Sequence, residues 1–483
     1  MTAMQTDHRP LFRRATLLPT LLGLLMAGCA LTPLQPPAPV TPPTAFKEAG
    51  PWQKASTHST VPDAWWTLFQ DPVLDDLEQR LVIGNENLKA VIAQVSGARA
   101  ALEASRSAVY PTLSAGLSAT RSGNPATSVI SSSGGTVVNA RAPGNTVSLS
   151  ANANWEVDLW GRLAQASVGA QAQLQASVDD LAAARLSAQA TLAQTYFSLR
   201  AADAQYALLE RSVQAYQRTL DLTQLRYKAG VVARVDVLQA QTQLKSAQAQ
   251  MLESAAQRAQ LEHAIAVLLG SAPSELALAR NDQLPAPPAI PELLPATLLE
   301  RRPDIAAAQR RVEAAYAQIG VASAAYYPAL NLSASAGYRG SSLANLISAP
   351  NLFWSLGSSL AQAIFDGGQR KLASAQARSS ADQATAHYRQ TVLTALQEVE
   401  DNLVLADQLQ REAQLQEEAL QITRRTLEIT QDQYRAGTVS FLNVVIAQNA
   451  VFSSESNLLN VRNRQLAAVN LLLKNIAGRW EAA

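Results

Sequence analysis

The sequence predicts a mainly α-helical fold with a small β part, in which one helix–strand–strand–helix–helix unit occurs twice. Three observations predict it. Residues 222–241 (LTQLRYKAGVVARVDVLQAQ) and 429–448 (ITQDQYRAGTVSFLNVVIAQ) align without a gap at one offset, 437 − 230 = 207 for the glycines. A stretch of about 70 residues without proline runs from Arg162 to Gly230, and a second long helical stretch leads to Gly437. Four short segments alternate apolar with small polar residues, the period of strands.

Composition sets the frame. The 483 residues are 48% hydrophobic and 16% charged, which excludes a disordered chain. Aromatic residues are only 5%, as expected where helices pack on helices rather than around a thick core. Lys+Arg 39 against Asp+Glu 38 gives a net charge of +1, so no field attracts nucleic acid. A single Cys excludes an internal disulfide.

That Cys closes a segment with its own meaning. Arg13 and Arg14 precede an apolar run ending Leu25-Met26-Ala27-Gly28-Cys29, too short for the roughly 20 residues of a membrane-spanning helix. Residues 1–28 therefore read as a secretory signal. Residues 29–64 follow as a Pro-rich tether.

The first copy occupies residues 65–270. Folding begins near Trp65, and Asp71-Pro72 opens a helical pattern through Leu74, Leu77, Leu81, Leu88, Ile92 and Val95 towards Val109, with Asp71 as the cap. At Tyr110-Pro111 the period changes to two, giving strands at about 110–122 and 145–158 around a Ser/Gly/Asn-rich loop. After Trp160-Gly161-Arg162 the long helix, on the order of 100 Å at 1.5 Å per residue, ends at Gly230. Glycine suits the left-handed C-cap there. The chain returns along a seam of Val237, Ala240, Leu244, Ala247, Met251, Ser254, Arg258, Leu261 and Ile265.

Residues 271–297, rich in Pro and turns, connect the copies. The second copy, 298–483 with a C-terminal tail, repeats the plan: Arg301-Arg302-Pro303-Asp304 opens a helix and Tyr327-Pro328 restarts alternation, with strands at about 327–340 and 352–365. Asp366-Gly367-Gly368 precedes the second long helix, Gly437 ends it, and Ser440 stands where it can cap the returning helix, whose seam at the same offset is Val444, Ala447, Val451, Ser454, Leu458, Val461, Gln465, Ala468 and Leu472. Ala233 occupies the matching place in the first copy, so the two tips are expected to differ.

Four strands cannot close a membrane barrel, because the smallest use eight and an open edge in lipid leaves backbone groups unsatisfied. Several chains must share one barrel. Three would give twelve strands and twelve helical segments around a ring, with a bore on the order of 25 Å for axes about 9 to 10 Å apart.

The whole chain resembles the TolC-type outer-membrane efflux channels, specifically their lipoprotein branch, of which OprM is a member. Cys29 in its lipobox, the paired Tyr110-Pro111 and Tyr327-Pro328, Trp160-Gly161-Arg162 with Asp366-Gly367-Gly368, Arg301-Arg302-Pro303-Asp304 and the two Gly turns carry the resemblance. It implies a homotrimer with a transmembrane 12-stranded β-barrel continuous with a long periplasmic α-barrel. It also implies lipid on Cys29, with no other cofactor, and docking to a periplasmic adaptor (membrane fusion protein) and an inner-membrane pump. The docking tips are Gly230, Val231, Gly437, Thr438 and Ser440, and the equatorial connector and tail gird the helices. Relatives often carry Leu, then Asp and Arg, just past the second tip; here these positions are Leu442, Ile446 and Asn449, so Ile446 forms an apolar ring in place of a charged one if it faces the lumen, the alternative being a place in the coiled-coil core. Asp236 is the remaining acidic aperture candidate.

No catalytic chemistry is expected. His8, His58, His263 and His387 are isolated, and no metal-ligand spacing, phosphate loop or nucleophile motif occurs. The expected function is an outer-membrane exit duct for drugs, metals or other small molecules. The alternatives are the outer component of a type I protein secretion system and, from another class, a periplasmic coiled-coil scaffold without a pore.

Overall fold

Both halves of the chain follow one order of elements. A computed structural model describes residues 38, 40–41, 43–48, 52–53, 63–123, 127–130, 136–139, 143–288, 290–291 and 301–477. The signal segment and Cys29 lie outside these residues, as do most of the tether and parts of the connector and tail. The first half holds β1 (Trp52–Gln53), α1 (Pro72–Gly84), α2 (Glu86–Ser107), β2 (Thr112–Ser122), β3 (Thr127–Ile130), β4 (Thr136–Asn139), β5 (Gly144–Val157), α3 (Arg162–Lys228) and α4 (Arg234–Leu268). The second holds β6 (Ile290–Pro291), α5 (Pro303–Ala324), β7 (Ala329–Gly340), β8 (Leu352–Ala361), α6 (Gln369–Arg435) and α7 (Phe441–Ile476).

The hairpin offset governs the helices. α3 and α6 are each 67 residues long and begin 369 − 162 = 207 residues apart. α4 and α7 begin 441 − 234 = 207 residues apart. The described residues divide into a sheet-bearing unit, within 97–175 and 310–385, and a helical unit, within 38–96, 176–309 and 386–477.

In the sheet-bearing unit the strands lie in the order β2-β5-β7-β8, antiparallel throughout, so the two halves join through β5 and β7. The strands are 11, 14, 12 and 10 residues long and fall within or close to the ranges that alternation marks. Opposed residues share a face. One face carries Leu113, Leu117, Leu149, Leu332, Leu356 and Leu360, and the other carries Ser114, Ser118, Ser148, Asn152, Ser335 and Ser355.

Three expectations needed correction. The loop after β2 is not featureless, because β3 and β4 pair antiparallel within it; Val129, Ile130, Val137 and Val138 supply strand propensity inside a Ser/Gly-rich background. The helical pattern from Asp71 breaks at Asn85, whose Oδ1 accepts from the Leu88 N–H at 3.0 Å while its side-chain amide donates to the Leu268 carbonyl at 2.7 Å. Finally β8 stops at Ala361 rather than near 365, because β7, its partner, begins at the opposed Ala329.

The core of the helical unit gathers Trp65, Phe69, Leu74, Leu77 and Leu81 with Tyr196, Phe197, Ile265, Leu403, Leu472 and Ile476. Asp71 caps α1 as expected: one carboxyl oxygen accepts from Val73 N–H at 2.9 Å and Leu74 N–H at 3.3 Å, and the other accepts from the Tyr196 hydroxyl at 2.6 Å. The connector is tied down by buried charge. Arg258 pairs with Asp203 at 2.8 Å and donates to the Leu278 carbonyl, while Arg200 donates to the Ala279 carbonyl at 2.9 Å. Arg302 opens α5 by pairing with Asp304 at 2.6 Å and Glu398 at 2.9 Å.

Candidate functional site

Two places carry the expected activity, the hairpin tips of the helical unit and the strand sheet of the other. At both tips the chain turns through a glycine with positive φ, 72° at Gly230 and 79° at Gly437. The Gly230 N–H donates to Tyr227 O at 2.9 Å and Val231 N–H to Arg226 O at 2.9 Å. Gly437 N–H donates to Tyr434 O at 3.1 Å and Thr438 N–H to Gln433 O at 3.0 Å, so both tips form the same paired C-cap.

The returning helices bury two thirds of their predicted seams, Ala240, Leu244, Ala247, Ser254, Arg258 and Ile265 in α4 and Val444, Ala447, Leu458, Val461, Ala468 and Leu472 in α7, and half-bury Val237, Met251, Leu261, Val451, Ser454 and Gln465. Near the tips Tyr216, Leu220, Ala240, Leu244, Tyr434, Phe441 and Val444 form one cluster that packs the two hairpins together. The guanidinium of Arg226 adds a link that sequence reasoning missed, bonding to the last carbonyls of α6. Its only signal in the sequence was a basic residue in the last turn of a helix.

The cap expected of Ser440 does not form. Ser440 holds the N-cap position of α7 with extended backbone, but its hydroxyl makes no capping bond, and Ala233 cannot make one in α4. In both tips a backbone bond takes the first-turn N–H instead, Asn443 to Ser440 O at 3.2 Å and Asp236 to Ala233 O at 3.1 Å. The tips differ two residues earlier, where the Thr438 hydroxyl donates to Gln433 O at 3.0 Å and Val231 presents an exposed apolar side chain.

Leu442, Ile446 and Asn449 follow one another on α7 at spacings of four and three, off the face that buries Phe441, Val444 and Ala447. Leu442 is 51% exposed and Ile446 is 58% exposed, so Ile446 stands outside the hairpin's own core. Asn449 Oδ1 accepts from the Gln243 side-chain amide, which ties its position to α4. Asp236 is partly buried in the first turn of α4, where the helix dipole favours a carboxylate. The structure thus keeps Leu442 and Ile446 together and places Asp236 on the other hairpin.

The sheet supplies a two-faced surface. On its polar face the hydroxyls of Ser118 and Ser148 lie 2.7 Å apart, as do those of Ser335 and Ser355. At the end where the helices begin, the Trp160 ring stacks on Tyr327 at 4.9 Å and its N–H donates to Pro328 O at 2.7 Å. Among the described residues no helix is long and apolar enough to cross a membrane. Nor is any group of three or more His, Cys, Asp or Glu among them placed to hold a metal ion.

The family described as outer membrane efflux protein matches residues 77–271 and 294–478. The antibiotic efflux pump outer membrane protein ArpC of Pseudomonas putida is 29% identical over 465 residues, covering 95% of this chain and 94% of that protein. The solvent efflux pump outer membrane protein SrpC of Pseudomonas putida is 30% identical over 471 residues, covering 96% and 98%. The solved outer-membrane channel OprN superposes with a TM-score of 0.83 at 27% identity, covering 93% of this chain and 100% of that one.

Proposed function

We propose, on the premise that the chain belongs to the outer membrane efflux protein family, that three copies close one twelve-stranded barrel through which cargo leaves the cell. The chain is the outer-membrane component of an efflux pump, with a periplasmic extension, and its family is one of channel-forming proteins rather than enzymes. The single observation that carries the closure is that β2 and β8 each pair on one side only among the described residues, in a sheet with one apolar and one polar face. An unpaired edge in lipid leaves N–H and C=O groups without partners at a cost of several kcal/mol each, so the edges of sister copies satisfy one another.

In this arrangement the leucine face meets lipid and the serine–asparagine face lines the lumen. The hairpins reach into the periplasm, where the tips 230–231 and 437–440 dock to an adaptor that couples them to an inner-membrane pump. Leu442 and Ile446 form an apolar constriction past the tips, with Asn449 and Asp236 as its polar neighbours. Transport through it is passive: the adaptor opens the aperture only by binding the open state more tightly than the closed one. Lipid on Cys29 anchors the chain. The names of ArpC and SrpC refer to antibiotics and solvents, and we take small organic molecules as the cargo class here. Purified protein in a planar lipid bilayer is expected to give discrete conductance steps. Silence in bilayers from correctly folded protein would leave a scaffold without a pore.

A further inference from the structure

β5 outlasts its first partner. It pairs with β2 only as far as Asn154, opposite Thr112, but with β7 on to Val157, opposite Leu330. β8 holds the equivalent place in the second half and ends at Ala361. Two offsets turn one repeat into the other: Thr112 opposite Asn154 becomes Ala329 opposite Ala361, with 329 − 112 = 217 and 361 − 154 = 207. The relation continues past the end of β8. The Trp155 indole N–H donates to Val109 O at 2.8 Å, and at the same two offsets the Gln362 side-chain amide donates to Tyr326 O at 3.2 Å. Residues 362–364 therefore stand where 155–157 stand, without the strand that β7 offers β5. Ile364 is accordingly 96% exposed.

We propose that β2 of a second copy is that strand, and that it pairs in one definite register which extends β8 to Ile364. The register follows from carrying the pairs of β5 with β7 across by the same offsets. Ala153 opposite Ala334 becomes Leu360 opposite Leu117 of the partner subunit; Asn152 opposite Ser335 becomes Ser359 opposite Ser118 of the partner subunit; Val157 opposite Leu330 becomes Ile364 opposite Leu113 of the partner subunit. Each pair joins like to like. Leucines meet on the apolar face and serines on the polar face, whereas a slip of one residue turns every side chain of one strand to the wrong side. The pairing also sets two exposed residues side by side on the apolar face: Leu113, which β5 opposes on one side, and Ile364, which no strand among the described residues of the same chain reaches.

The inference rests on the proposed shared barrel, and cysteine pairs in the full-length chain separate the two. S118C/S359C and S114C/A363C both lie in the proposed register. S114C/S359C and S122C/S359C are four residues out, about 13 Å along a strand, beyond the roughly 4.4 to 6.8 Å that a disulfide spans between Cα atoms. Positions 118 and 359 sit on opposite edges of the four-stranded sheet, so they cannot bridge within a chain. Mild oxidation is expected to give covalent dimers and trimers for the first two variants and none beyond the parent's background for the last two. Crosslinking of an out-of-register pair, or of no pair in protein that light scattering shows to be trimeric, overturns the register and leaves the channel standing. A monomeric mass with no crosslinks overturns both.

Discussion

Arg226 closes the end of a helix to which it does not belong. Its Nη1 donates to Tyr434 O and its Nη2 to Arg435 O, each at 2.9 Å, and the guanidinium carbon lies 4.5 Å over the Tyr434 ring. The residue at the matching offset in the other hairpin is Gln433, so only α6 is closed in this way. Arg226→Ala removes two charge-assisted bonds and a ring contact, worth about 1.5 kcal/mol or more. Amide exchange over residues 434–438 is expected to speed up by about tenfold, while exchange in the core around Tyr196 stays unchanged. Mass-spectrometric exchange of the purified protein reads both.

Glu78 is fully buried, and neither carboxyl oxygen has a hydrogen-bond partner among the described residues. Burial pushes its pKa up to about 9; Arg185 pulls it down and Asp75 adds to the rise. The folded chain thus keeps a proton that the unfolded chain releases near 4.5, and Glu78 makes stability fall as pH rises between about 4.5 and about 9. Glu78→Gln removes the penalty. Thermal midpoints of the detergent-solubilised protein are expected to match at pH 5 and to favour Glu78→Gln by several degrees at pH 9. A constant difference across that window would contradict the titration.

Gly84 ends α1 against the end of α4. A Cβ there would lie 2.1 Å from the Leu269 carbonyl oxygen, and one on Gly270 would lie 2.1 Å from the Gly84 oxygen. Both obstacles are backbone, so the helix ends must part. Gly84→Ala is expected to cost about 3 kcal/mol or more. Gly97→Ala meets nothing within 4 Å inside α2 and should stabilise by about 0.5 to 1 kcal/mol. Paired melting curves check the contrast.

Ile446 tests the aperture. Ile446→Asp places a carboxylate at each of three symmetry-related positions in the proposed constriction, and single-channel current should become more cation-selective. Unchanged current and selectivity would refute its exposure to the lumen.

The features legible in the sequence are those that local chemistry dictates. The glycine tips, the seams of α4 and α7, the Asp71 cap and the alternation of β2, β5 and β7 follow from neighbours a few residues apart. What escaped depends on distant partners. The break at Asn85 is made by the Leu268 carbonyl, the connector is pinned by Arg200 and Arg258 from the long helices, and the reach of β8 is set by where β7 begins. Ser440 shows the converse. Its residue type and backbone suit a cap, yet a backbone carbonyl already holds the N–H it would take.

Closure between copies follows from the two edges of the four-stranded sheet that are unpaired among the described residues, and the molar mass of the detergent-extracted protein tests it most directly. Light scattering corrected for bound detergent should report three copies of the chain. A folded species with the mass of one copy would contradict a barrel shared between copies.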